Sequence, residues 1–280
     1  MITCLRVIVT LPSIDVFNQT MLTRIACFGG IYSNYLALEA AIHDARRRGV
    51  EALFCLGDLG AFGPHPDRVF PLLRDLQCLQ GNYDHSIGNA LADCQCGYTD
   101  PRDNHFAQIS YDYTLAGTSQ ENRDWLRSLP AAIRLELGPA RLLLCHGSPR
   151  KTNEFLWEST TSTQFLEHLA AVHQADCLLA THTGIRWERR LANDRRFVNV
   201  GVLGRPENDG RTEVWYTLLS HERGTGLEVE FVPIAYDHRR LAREMAAEGL
   251  PIEFQETILT GWWTTCLEVL PSKERKRGRY

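Results

Sequence analysis

Ala52-Leu53-Phe54-Cys55-Leu56-Gly57-Asp58-Leu59-Gly60-Ala61-Phe62-Gly63-Pro64 decides the fold. Residues 52–56 form a short apolar run, which suits a strand buried on both faces. The run stops at Gly57-Asp58, so a carboxylate stands at the strand's carboxyl end, where ligands collect in open α/β sheets. On the amino side, residues 34–48 carry Leu36, Leu38, Ala41, Ile42 and Ala45 at helical spacing and close on Arg46–Arg48 and Gly49, which predicts a helix. Residues 24–28 predict the strand before it. On the carboxyl side, residues 66–76 predict a helix and residues 78–80 a short strand. The first half therefore reads βαβαβ.

Working further outward, residues 85–129 are rich in Asn, Asp, Gly and Gln, and predict helical and irregular structure. A helix is expected to start at Thr118 or Ser119. Strands are expected at 133–137 and 141–145, joined by a Gly138-Pro139 hairpin, and then at 177–180, 197–200, 212–219 and 227–233. Helices are expected at 160–174, 237–248 and 252–262. This pattern predicts an α/β sandwich of two packed sheets with helices outside. The expected organisation is an N-terminal extension over 1–20, one domain over 21–270 and a basic disordered tail over 271–280. Within the domain, a cap insert spans about 85–130 and C-terminal helices span about 237–262.

The chain has 280 residues, 44% hydrophobic and 23% charged, with a formal net charge of −4. That is ordinary for a globular protein. It argues against general nucleic-acid binding, which needs basic surface. No stretch approaches the ~20 apolar residues that span a bilayer. The nine cysteines are odd in number, and several fall inside strand-like runs. They read as buried free thiols of a cytoplasmic protein rather than a disulfide framework. Cys94-x-Cys96, with Asp103 and His105 nearby, matches no common zinc spacing. Trp262-Trp263 reads as packing of a terminal helix onto the sandwich.

Four strand ends carry polar groups: Gly57-Asp58, Gly81-Asn82-Tyr83-Asp84, His146-Gly147-Ser148-Pro149 and Thr181-His182-Thr183. Asp, Asn and two His brought to one region would suit Mn, Fe or Zn better than Ca, which prefers oxygen alone. Alone, Asp58 would read as a turn cap and the histidines as core residues; as an ordered series they read as metal ligands. The Asp84 carboxylate is expected to orient the loop through backbone hydrogen bonds.

The series resembles the calcineurin-like metallophosphoesterases, and its small bacterial branch most closely. Leu36–Ala40, Pro64-x-Pro66, Ser128-Leu129-Pro130 and Val198-Asn199-Val200-Gly201 extend the likeness over residues 24–261. The resemblance implies that Asp58, Asn82, His146 and His182 hold a metal. It also implies hydrolysis of a phosphomonoester or phosphodiester by metal-activated water. The family holds two ions. Here Gly30 and Tyr32 stand where the first motif has Asp and His, and Gly184 where the last motif has its second His. One divalent ion rather than two is therefore expected. Tyr83 replaces the usual proton-donating His, leaving Tyr83 or Tyr32 as the candidate acid. Asn34 either contacts phosphate or caps its helix, and Arg150 either holds phosphate or lies on a solvated face. A phosphorylated small molecule or nucleotide is the expected partner. The alternative is a catalytically inactive binding or regulatory protein with a protein partner, which the phosphoesterase-like retromer subunit resembles.

Overall fold

The computed structural model describes residues 22–276, apart from 223 and 225. The expected extension over 1–20 lies outside them. One sheet runs β10-β9-β1-β2-β3. It comprises β1 (Arg24–Phe28), β2 (Ala52–Cys55), β3 (Gln77–Cys78), β9 (Val214–Glu222) and β10 (Gly226–Ile234). The other runs β4-β5-β6-β8-β7. It comprises β4 (Ala132–Leu137), β5 (Ala140–Cys145), β6 (Cys177–Ala180), β7 (Arg186–Arg190) and β8 (Arg196–Val200). Strands β1, β2 and β3 are mutually parallel, as are β5, β6 and β8. The carboxyl ends of each trio therefore open on one edge.

Period-two alternation builds the layers. Ile25, Cys27, Phe54, Leu142, Leu144, Leu179 and Val198 point between the sheets and form one core cluster. Their neighbours Ala26, Phe28, Leu53 and Cys55 point outward beneath α1 (Tyr35–Arg47), which covers them with Ala37, Leu38, Ala41, Ile42 and Ala45. Leu143, Cys145, Leu178 and Ala180 lie likewise under Leu166, Leu169 and Ala170 of α5 (Thr163–Val172). Between the halves lie α2 (Asn82–Asn89), α3 (Pro101–Gly117) and α4 (Gln120–Ser128). Helices α6 (His238–Ala247), α7 (Ile252–Thr260) and α8 (Ser272–Arg275) close the chain.

Four expectations are corrected. Residues 66–76 form two 3-10 turns, Pro66–Arg68 and Phe70–Asp75, instead of one helix. Pro71 lacks an N–H and its ring would clash with the carbonyl four residues back. Strand β7 was not expected, because four of its five residues are charged. It is an edge strand, where charge blocks edge-to-edge pairing, and Trp187 alone is buried. The tail begins ordered, since Glu274 of α8 is buried and accepts from Ser159 N at 2.8 Å and Ser159 Oγ at 2.5 Å. Cys94 and Cys96 are joined to each other, whereas Cys27, Cys55, Cys78, Cys145, Cys177 and Cys266 are free and buried. Among the described residues, no helix is long and apolar enough to cross a membrane.

Candidate metal centre

At the end of β2 the chain turns through two left-handed residues, Gly57 at φ +86° and Asp58 at φ +57°. A Cβ on Gly57 would stand 2.7 Å from the Cα of Gly81, so glycine is required there. Asp84 staples the turn. Its Oδ2 accepts the N–H of Asp58 at 2.7 Å and of Gly81 at 2.8 Å, and its Oδ1 that of Leu59 at 2.9 Å. The Asp84 carboxylate thus orients the loop as its position in the motif suggested. Burial and the nearby Asp58 charge push its pKa up, against the pull of those backbone donors.

Asp58, His146 and His182 then converge. Asp58 Oδ2 lies 3.2 Å from His146 Nε2, which lies 3.2 Å from His182 Nδ1. The candidate ligand atoms all fall within 4.8 Å of one another, and all three side chains are buried. His146 Nδ1 lies 2.6 Å from the Leu56 carbonyl. That partner requires a proton on Nδ1, so Nε2 is the nitrogen turned toward a cation. The ring of Phe155 packs against His182 with centroids 4.3 Å apart. His182 also has a left-handed backbone, at φ +68°. Two non-glycine donors in this region each store on the order of 1–3 kcal/mol, a cost found at functional sites.

Asn82 supplies an independent indication of a ligand. Its Nδ2 donates to the Cys94 carbonyl at 2.8 Å and to Cys96 Sγ at 3.4 Å. Its Oδ1 is buried and accepts nothing. Leaving such an oxygen bare costs about 1–3 kcal/mol, which a cation would offset. One carboxylate, one amide oxygen and two imidazoles fit a divalent transition metal or zinc.

The charges agree with that fit. Burial alone would raise the Asp58 pKa, but its pairing with His146 holds it below the usual carboxylate range. Burial pulls His146 down, yet its pairing with Asp58 lifts it. His182 is pushed down to about 3 by burial and by the neighbouring His146, so it stays neutral, the form that binds metals. Gly81 passes against this cluster. A Cβ there would overlap Asp58 Oδ1 and stand 3.0 Å from His146 Cε1. We expect Gly81→Ala to cut bound metal at least roughly tenfold while secondary structure persists, measured by elemental analysis and circular dichroism.

Across the cavity the geometry is different. A Cβ on Gly30 would stand 2.5 Å from Cε1 of Tyr32, whose ring covers that position. Gly184, at φ +79°, would place a Cβ 2.8 Å from Cη2 of Trp263 and 3.4 Å from Nη2 of Arg205. Trp263 is fixed by donating Nε1–H to the Pro206 carbonyl at 2.6 Å and its main-chain N–H to Asn208 Oδ1 at 2.9 Å. Arg205 lies over it, with Cζ 3.6 Å from the ring centroid. The positions that carry Asp, His and His in the resembling family are thus overlaid by Tyr32, Trp263 and Arg205.

The remaining sequence candidates divide. Tyr32 and Tyr83 line the same cavity as Asp58 and His182. Tyr83 Oη donates to the Ala107 carbonyl and lies against Ser110 Oγ, each at 3.2 Å. Burial pushes both phenols well above their ordinary range, and Arg205 only partly offsets this at Tyr32. Neither is tuned as an acid near neutrality. Asn34 takes the capping alternative, at the start of α1. Its Oδ1 accepts from Ala37 N at 3.0 Å and its Nδ2 donates to the Gly204 carbonyl at 3.1 Å. Arg150 lies on a solvated face, where its guanidinium pairs with Glu154 and stacks on Phe165. Among the described residues, Asp58, His146 and His182 form the one cluster of His, Cys, Asp or Glu able to hold a metal, so the 94–105 segment does not supply another. The cation sequence reading missed is Arg205, five residues past the end of β8. Its position after a strand tip was the available signal.

The family model for the calcineurin-like phosphoesterase superfamily domain matches residues 24–223. An uncharacterised protein of Methanocaldococcus jannaschii, MJ0912, is 26% identical over 253 residues, covering 85% of this chain and 98% of that protein. The crystal structure of hypothetical protein PH1004 from Pyrococcus horikoshii superposes with a TM-score of 0.70 at 21% identity, covering 86% of this chain and 99% of that one. A metallophosphoesterase from Sphaerobacter thermophilus gives 0.64 at 23% identity, over 86% and 99%. The last two likenesses show that the fold is shared.

Proposed function

The chain belongs to the calcineurin-like phosphoesterase superfamily, and from that premise we propose that it is a cytoplasmic, metal-dependent phosphoesterase working with one divalent ion, Mn, Fe or Zn. The observation that carries this reading is the convergence of Asp58, His146 and His182 within 4.8 Å, supported by the buried, unpartnered Oδ1 of Asn82. These four residues would hold the ion. When bound, such an ion supplies Lewis acidity toward a phosphoryl oxygen and a strong nucleophile at neutral pH. The chain supplies the rest. Asp58 brings the negative charge, and the Leu56 carbonyl holds the His146 ring in place. Lacking a tuned acid, the site favours phosphomonoesters or phosphodiesters whose leaving groups depart unprotonated.

The test is metal content together with hydrolysis of p-nitrophenyl phosphate and bis-p-nitrophenyl phosphate under added Mn, Fe or Zn. About one ion per chain and metal-dependent turnover are expected. Two tightly held ions would overturn the one-metal reading. No hydrolysis with metal bound would favour the second reading, a binding module. That reading draws on the overlaid positions at Gly30 and Gly184.

A further inference from the structure

Arg205 is 6% exposed, in the loop that follows β8. Its Nε is buried without a partner. Among the described residues it forms no ion pair and donates to no oxygen, and the thiol of Cys266 is its polar neighbour. Its other contacts are ring faces, with Cζ 3.6 Å from the centroid of Trp263 and 5.8 Å from those of Tyr32 and Phe62. A guanidinium has five N–H donors and no means of discharging them by losing a proton. Buried and unpaired, it is among the costliest groups a fold can carry. Such a group makes physical sense where an anion completes it.

The place for that anion is open. Arg205, Asp58 and His182 line one cavity of about 40 Å³, walled by Phe62, Phe106 and Phe254. That is room for roughly three waters, a space of the order of a phosphoryl group. Asp58 and His182 belong to the metal centre on one side. Arg205 stands on the other, where Gly30, Tyr32 and Gly184 replace ligands. Its planar fork matches two oxygens of a phosphoryl group.

We propose that Arg205 is a phosphoryl-binding residue, a fixed cation that grips the substrate's phosphoryl oxygens where a second metal ion would otherwise do so. Its assignment to the substrate rests on the phosphoesterase reading above; its affinity for phosphate does not. Arg205 touches the group that reacts, and the metal centre holds the opposite face.

The experiment titrates inorganic phosphate calorimetrically into the wild-type protein, Arg205→Met and Arg205→Lys, with metal content measured on each. Arg205→Met should weaken phosphate at least roughly tenfold and leave metal content unchanged. Arg205→Lys keeps the charge without the fork and should fall between. Phosphate should raise the melting temperature of the wild type and not of Arg205→Met. Met is apolar and relieves a buried charge, so this variant is expected to fold; should it not, the Lys variant carries the comparison. Equal phosphate affinity in wild type and variants, within about twofold, would overturn the proposal, as would a fall in metal content in Arg205→Met. Metal-dependent hydrolysis with phosphate affinity indifferent to Arg205 sinks this inference alone. Arg205-dependent phosphate binding in a protein that holds no metal supports it and sinks the phosphoesterase reading instead.

Discussion

Asp58→Asn is expected to lose both the metal and the activity while keeping the fold. Asn is among the few residues that tolerate the left-handed backbone, so the φ of +57° at this position survives the change. The amide can still accept the Tyr83 N–H now received by Asp58 Oδ1 at 3.1 Å. What disappears is the negative charge beside His146 Nε2, 3.2 Å away. Two imidazoles and two amide oxygens offer a divalent ion no compensating charge. Bound metal should fall below about a tenth of an ion per chain, and kcat/KM by on the order of a thousandfold, about 4 kcal/mol of transition-state stabilisation. Elemental analysis and p-nitrophenyl phosphate kinetics read the two effects, and circular dichroism checks the fold. A variant that keeps its metal and its rate would place the chemistry elsewhere.

How far the sequence foretold this depends on whether a residue's partner is near in the chain. Cys177–Ala180 was legible because four consecutive apolar residues between polar flanks leave little choice. The meeting of Asp58, His146 and His182 was legible, since each follows a strand end and parallel strands share an edge. Asn34 was ambiguous for a physical reason. Capping and phosphate contact require the same residue at the same place, and the Gly204 carbonyl that decides between them lies 170 positions away. Arg150 was readable after all, because Glu154 sits four residues on, at ion-pairing distance. Arg205 and Trp263 meet across 57 intervening positions, with no local pattern to announce it. Strand β7 was hidden by its charges, which serve its edge position and erase the alternation that marks a half-buried strand.

Gly184→His, which puts a histidine where the family resemblance implies one, is expected to destabilise the protein and not to add a second metal. The backbone at 184 sits at φ +79°, where a Cβ costs roughly 1–2 kcal/mol. The new side chain would also start 2.8 Å from Cη2 of Trp263. Trp263 is 2% exposed and tied to Pro206 and Asn208, so it has no ready place to go. Overpacking of this kind adds about 1–3 kcal/mol. The combined loss, on the order of 3 kcal/mol, should lower the melting temperature by roughly 6–12 °C for a domain of this size. An imidazole forced in beside Arg205 would also face a fixed positive charge that repels a cation, so metal content should stay at one ion per chain. Calorimetric melting and elemental analysis on the same sample decide the matter. A stable variant with two ions would mean that the Trp263 and Arg205 side moves aside easily. The expected result would mean that this half of the site has been rebuilt around a cation the chain carries itself.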